Sequence, residues 1–132
     1  MDARSCPPTR ILLAEDDPEL RSLLAEALRR DGHQVMEVNN GVALDDVIRE
    51  LAAQSPDHPD EVVISDVRMP GRTGLSVLEH HRGCPWCPRF IFMTGFGDEE
   101  LRAEARDLGA VIIEKPFEMD ELRAVLGNVV TH

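Results

Sequence analysis

Glu61-Val62-Val63-Ile64-Ser65-Asp66 is the stretch that decides the fold. A continuous β-branched run without polar alternation suits a strand buried on both faces, the habit of parallel sheets covered by helices. The run stops at a carboxylate. Three other apolar runs stop in a comparable way. Ile11-Leu12-Leu13-Ala14 is followed by Glu15, Asp16 and Asp17; Phe90-Ile91-Phe92-Met93 by Thr94; and Val111-Ile112-Ile113-Glu114 by Lys115. In open α/β sheets ligands bind outside the carboxyl ends of the strands. Carboxylates, a hydroxyl and an ammonium would therefore converge on one pocket suited to a divalent cation and a phosphoryl group.

Helical patterns fill the gaps between these runs. Asp17-Pro18 reads as an N-cap with proline in the first helical position, and Asp17 is assigned that capping task rather than a ligand role. Leu20, Leu23, Leu24, Ala27 and Leu28 form the predicted apolar stripe of the first helix, which ends at Arg29, Arg30 and Gly32. A second strand is predicted over Gln34 to Asn39, and a second helix carries Leu44, Val47, Ile48 and Leu51. Residues 54–60, with two prolines, read as a loop. The third strand is predicted over Glu61 to Ser65, with Leu75 and Leu78 on the helix after it. Strand four follows over Arg89 to Met93, then a charged helix from roughly Asp98 to Leu108, closed by Gly109. Strand five spans Val111 to Glu114, and the last helix carries Leu122, Val125, Leu126 and Val129. Five βα units with right-handed crossovers give an α/β fold, a (βα)5 doubly wound, five-stranded parallel sheet. Residues 1–9 read as a flexible leader and residues 10–130 as one domain.

The chain has 132 residues, of which 42% are apolar, enough for a single core. Its 25 Asp and Glu against 14 Lys and Arg give a formal charge of −11. That balance argues against the domain gripping a nucleic-acid backbone. No apolar run approaches a membrane span and no signal-peptide core opens the chain, so a cytoplasmic location is expected. Three cysteines do not make a disulfide framework.

Asp66, closing the most apolar strand, is the candidate nucleophile for an acyl phosphate. Several carboxylates at neighbouring strand ends repel one another unless a cation binds. Mg2+ (or Mn2+) fits, since it takes oxygen ligands and commonly joins carboxylates to a phosphate. The Lys115 ammonium and the Thr94 hydroxyl would supply donors to the phosphoryl oxygens.

Glu15-Asp16-Asp17-Pro18, Ser65-Asp66-Val67-Arg68-Met69-Pro70-Gly71, Met93-Thr94-Gly95 and Lys115-Pro116-Phe117, in that order, resemble the receiver domain of two-component response regulators. The resemblance covers roughly Arg10 to Val129 and implies a flavodoxin-like sheet in strand order 2-1-3-4-5. It further implies that Asp66 is the phosphoacceptor. Asp16 would be a direct metal ligand, Glu15 a ligand through water, and the Arg68 backbone carbonyl a further ligand beside Asp66. Thr94 and Lys115 would be the switch and phosphoryl-contacting residues, with a cis peptide between Lys115 and Pro116. The implied mechanism is a population shift of the face formed by the fourth helix, fifth strand and fifth helix. Implied partners are a sensor histidine kinase or phosphotransfer protein and a downstream protein or output domain. No nucleic acid or membrane contact is expected, and the state would be a monomer or a phosphorylation-dependent dimer. The chain reads as a stand-alone receiver or as the N-terminal part of a larger regulator.

Some features depart from that pattern. Ile112 stands where many receivers carry an aromatic switch residue. Arg68 and Phe96, each two residues past a key site, would flank the line of water attack on the acyl phosphate. Cys84-Pro85-Trp86-Cys87 is compatible with a redox pair or, with His80 and His81, a zinc ligand set, but its simpler reading is a stiff loop with incidental thiols and a Trp over apolar surface. Met69, Met93 and Met119 read as packing or loop residues rather than a cofactor box, and His33 and His58 as solvated turn residues. The alternative functions are a non-phosphorylated pseudo-receiver and a thiol-disulfide protein using Cys84 and Cys87.

Overall fold

The computed structural model describes residues 8–54, 61–84 and 87–131. The expectations for residues 1–7 of the leader, for His58 and for Trp86 lie outside those residues; Thr9, counted in the flexible leader, is instead buried, its carbonyl accepting from the Gln34 N–H at 3.1 Å. The order of elements is β1 (Arg10–Ala14), α1 (Pro18–Arg30), β2 (Gln34–Val38), α2 (Gly41–Gln54), β3 (Glu61–Asp66), α3 (Gly74–His81), β4 (Arg89–Thr94), α4 (Glu99–Asp107), β5 (Val111–Glu114) and α5 (Met119–Thr131). All neighbouring strands are parallel, in the order β2-β1-β3-β4-β5. The expected α/β sheet is thus observed, with β3 at its centre.

The period of two along the strands sorts the core onto two faces. Leu12, Ala14, Val63, Phe90 and Phe92 pack with Leu44 and Ile48 of α2 and Leu75 and Leu78 of α3. Ile11, Leu13, Ile64, Ile91, Met93 and Ile113 pack on the other face with Leu24 and Leu28 of α1 and Leu122 and Leu126 of α5. Met69 and Met93 are buried among these groups, as packing residues should be. Helix α4 is anchored more thinly. Its sequence is mostly charged, and Ala105 is its buried residue.

Two further expectations need correction. Leu23 lies outside the apolar stripe of α1, being 64% exposed, whereas Leu24, Ala25 and Leu28 are buried. A 100° step per residue makes stripes through Leu20-Leu24-Leu28 and Leu20-Leu23-Ala27 nearly equivalent, and packing on the sheet selects the former. His33 is buried rather than solvated. Gly32, at φ 100°, lets the chain leave α1, with Gly32 N–H donating to Arg29 O and His33 N–H to Leu28 O. That reversal carries His33 inward, where its Nδ1 accepts from the Thr9 N–H at 3.1 Å.

Burial holds the His33 imidazole below its ordinary pKa, against the weaker upward pull of Asp31. The unfolded chain therefore binds more protons at this position below pH about 6.5. The stabilisation is present above that value and lost as pH falls. Urea unfolding at pH 7 and pH 5 should show stability falling with acid, with a smaller fall in His33→Asn, whose amide oxygen can still accept from Thr9.

Candidate functional site

Glu15 and Lys115 sit one step past a strand and Asp66 and Thr94 at the end of one, while Asp16 and Arg68 lie two residues past β1 and β3. Beyond β1, the Glu15 N–H donates to Val38 O at 3.1 Å. Beyond β3, the Val67 N–H donates to Met93 O at 3.1 Å, fixing Asp66 beside β4. Beyond β5, the Lys115 N–H donates to Thr94 O at 2.7 Å. The side chains thus inherit positions from the sheet rather than from free loops. Helix α3 begins close beneath them. A Cβ on Gly74 would lie 2.6 Å from a Phe92 ring carbon and 3.0 Å from the Asp66 carbonyl, so only glycine fits there.

Asp17 caps α1, its carboxylate accepting from Glu19 N–H at 3.0 Å and Leu20 N–H at 3.4 Å. That leaves Glu15 and Asp16 as the acidic pair. Ligand oxygens of Glu15, Asp16 and Asp66 all lie within 4.8 Å of one another. Lys115 Nζ stands 2.6 Å from Asp66 Oδ2 and 3.2 Å from Glu15 Oε1. Asp66 Oδ1 accepts from the Arg68 N–H at 2.9 Å, and Glu15 Oε2 from the Asp17 N–H at 3.0 Å.

The electrostatics follow from this crowding. Burial raises the Glu15 pKa and the Asp66 charge raises it further, opposed by the Asp17 amide and Lys115. Burial would lower the Lys115 pKa, but hydrogen bonding and attraction to Asp66 and Glu15 outweigh it and leave the ammonium more firmly protonated than usual. One ammonium therefore partly offsets three clustered carboxylates. An all-oxygen cluster with surplus negative charge and one exposed member, Asp16, fits a hard divalent cation of the Mg2+ type.

Two partners of this cluster were not legible in the sequence. Arg102 of α4 donates to the fully buried Thr94 Oγ1 at 3.2 Å and approaches Glu99 and Glu114 at 3.8 and 3.6 Å. Asp98, just before α4, accepts from the Gly95 N–H at 2.7 Å and forms an ion pair with Arg68 Nε. Burial alone would push the Asp98 carboxyl up; the Gly95 amide and Arg68 together hold it below its ordinary value. Arg68 thus bridges the loop after β3 to the loop after β4. Phe96, by contrast, is fully exposed, and Ile112 is partly buried against the core face that carries Phe90 and Phe92. The Lys115–Pro116 peptide is cis.

The zinc set imagined for His80, His81, Cys84 and Cys87 does not assemble. Both histidines turn instead to Asp45 of α2, and neither cysteine joins them among the described residues. Cys84 is exposed and Cys87 half-buried, both as free thiols. Burial and the neighbouring Cys84 raise the Cys87 pKa, opposite to the shift that activates a redox cysteine.

Residues 11–127 match the response regulator receiver domain family. Sporulation initiation phosphotransferase F of Bacillus subtilis (strain 168) is 34% identical over 116 residues, which cover 86% of this chain and 87% of that protein. The C4-dicarboxylate transport transcriptional regulatory protein DctD of Pseudomonas aeruginosa is 40% identical over 86% of this chain, but the match spans only 23% of DctD. Among solved structures, FixJ-N has a TM-score of 0.77 at 26% identity, with 96% of each chain covered. Full-length FixJ from B. japonicum has a TM-score of 0.78 at 33% identity, over 93% of this chain and 58% of that one.

A cation that binds the folded carboxylate cluster and not the unfolded chain raises stability by mass action. Saturating Mg2+ should therefore raise the unfolding midpoint by roughly 5 °C or more. Asp16→Asn, at an exposed position, should remove most of that rise. Differential scanning calorimetry with Mg2+ and with EDTA reads both.

Proposed function

The chain belongs to the response regulator receiver domain family, and on that premise we propose that it is a phosphorylatable switch with Asp66 as its acceptor. It is a signalling module rather than a conventional enzyme. The observation that carries the proposal is the contact of Lys115 Nζ with Asp66 Oδ2 at 2.6 Å, in a pocket where Glu15 and Asp16 also present oxygens. A carboxylate so placed is oriented and within reach of a cation.

In the proposed reaction a sensor histidine kinase or phosphotransfer protein presents a phosphohistidine. An Asp66 carboxylate oxygen forms the new P–O bond as the P–N bond breaks, and the electron pair returns to the donor imidazole. Glu15, Asp16, Asp66 and the Arg68 carbonyl would hold Mg2+, which supplies charge neutralisation at the phosphoryl oxygens. Lys115 holds a donor at the same oxygens. Thr94 Oγ1 accepts from Arg102 and keeps its own hydrogen to donate toward an incoming oxygen.

This last pair gives the switch its path outward. Where an aromatic would stand, Ile112 has no polar tip with which to follow Thr94. Arg102 bonds Thr94 directly and sits on α4, the most thinly anchored helix. Movement of the Thr94 hydroxyl toward a phosphoryl group is therefore transmitted to α4 through the guanidinium. Elements of low local stability are the ones that move in such transitions. The whole-protein output and the identity of the kinase depend on partners beyond this domain.

Incubation with acetyl phosphate and Mg2+ should give a single phosphoryl adduct by intact-protein mass spectrometry, absent in Asp66→Asn and without Mg2+. An adduct that persists in Asp66→Asn overturns the assignment, and no adduct at all favours the pseudo-receiver reading. Arg102→Ala should still accept phosphate. Phosphorylation should nevertheless change amide hydrogen exchange in α4 of the wild-type chain and leave α4 of the variant unaltered; an equal change in both contradicts the coupling.

A further inference from the structure

Asp45 takes no part in the pocket described above, yet its side chain is only 3% exposed, on the face of α2 that carries Leu44 and Ile48 into the core. Its Oδ1 lies 2.8 Å from His80 Nδ1 and 2.7 Å from His81 Nε2, both on α3. Its Oδ2 accepts from the Arg49 guanidinium at 2.6 Å. Two imidazole nitrogens and a carboxylate oxygen, drawn from two helices, lie within 4.8 Å of one another. We propose that Asp45, His80 and His81 form a binding site for a Zn2+-type transition-metal ion that ties α2 to α3.

The ligand chemistry separates this cluster from the acidic pocket. Imidazole with one carboxylate suits Zn2+, Ni2+ or Cu2+, whereas carboxylates and carbonyls alone suit Mg2+. Around a tetrahedral ion with bonds of about 2.0–2.2 Å, ligand atoms stand roughly 3.3 Å apart. The present contacts of 2.7 and 2.8 Å must open by about half an ångström, a side-chain rotation rather than a helix movement. Each imidazole binds through a ring nitrogen lone pair. The ring hydrogen of each bound imidazole would then sit on the opposite nitrogen, Nε2 of His80 and Nδ1 of His81.

Arg49 is the outer partner of the site. By holding Oδ2 it turns Oδ1 toward the imidazoles, as carboxylate ligands in metal sites are commonly oriented. Its positive charge opposes a cation, but its side chain is 58% exposed and so largely screened by water. His80 is 45% exposed, which opens a path for the ion and leaves coordination positions to solvent. Asp45 would be fixed and charged before the ion arrives, and α3 supplies both nitrogens from adjacent positions.

The test uses the full chain with Cys6, Cys84 and Cys87 changed to Ser, in excess Mg2+, titrated with Zn2+ by calorimetry. One Zn2+ per chain is expected. His80→Gln, which alters a half-exposed position and spares the core, should weaken binding about tenfold or more, as should Asp45→Asn and His81→Gln. Asp16→Asn should leave it unchanged. Co2+ should give the visible spectrum of nitrogen and oxygen ligands, and in the chain with its cysteines intact should add no thiolate charge-transfer band. Absence of stoichiometric Zn2+ binding overturns the proposal. So does binding that survives His80→Gln and Asp45→Asn, or binding lost in Asp16→Asn.

Discussion

Lys115 Nζ lies between Asp66 Oδ2 and Glu15 Oε1, at 2.6 and 3.2 Å, and those three residues follow or end three different strands. The contact exists only if β1, β3, β4 and β5 stand in the observed order with the observed register. Like charges a few ångströms apart in a partly buried site repel by on the order of a few kcal/mol. The ammonium offsets part of that cost, and the raised pKa values of Glu15 and Lys115 record the balance. Surplus negative charge of this kind favours a further cation over an anion. The fold supplies the geometry of the cluster, and its charge balance sets the sign of what would bind there.

Much of this was legible in the sequence. Four apolar runs that end in polar residues marked four of the five strands and the side chains that cluster beyond them, because a strand buried on both faces is apolar throughout and polar groups wait for its carboxyl end. The N-cap role of Asp17 was legible for the same local reason. What could not be read were pairings between distant segments. Arg68 with Asp98, and Asp45 with His80 and His81, are separated by 30 or more residues. Nothing in local periodicity marks one charged residue as another's partner. Leu23 shows a related limit. Two helical stripes share Leu20, and only the shape of the sheet beneath α1 decides between them.

Arg68 and Arg102 divide the loops around the pocket between them. Arg68 ties the loop after β3 to Asp98, and Arg102 ties α4 to Thr94 and toward Glu114 of β5. Both guanidiniums bridge the edge of the pocket to the α4–β5 side of the sheet. A phosphoryl group on Asp66, as proposed, would bring negative charge and acceptor oxygens to a site whose rim is held by two guanidiniums. Rearrangement of those two ion-paired side chains would then bear on α4, where Ala105 is the buried residue.

A structure of the chain with Mg2+ and beryllium trifluoride, which mimics a phosphoryl group on a carboxylate, would show whether one phosphoryl site forms at these strand ends. Beryllium is expected on an Asp66 oxygen, with Lys115 Nζ and Thr94 Oγ1 each on a fluorine, Mg2+ on Asp16 and Asp66, and Arg102 still bonded to Thr94. Beryllium trifluoride on another residue, or Lys115 and Thr94 both turned away from it, would contradict the claim that these strand ends form one phosphoryl site.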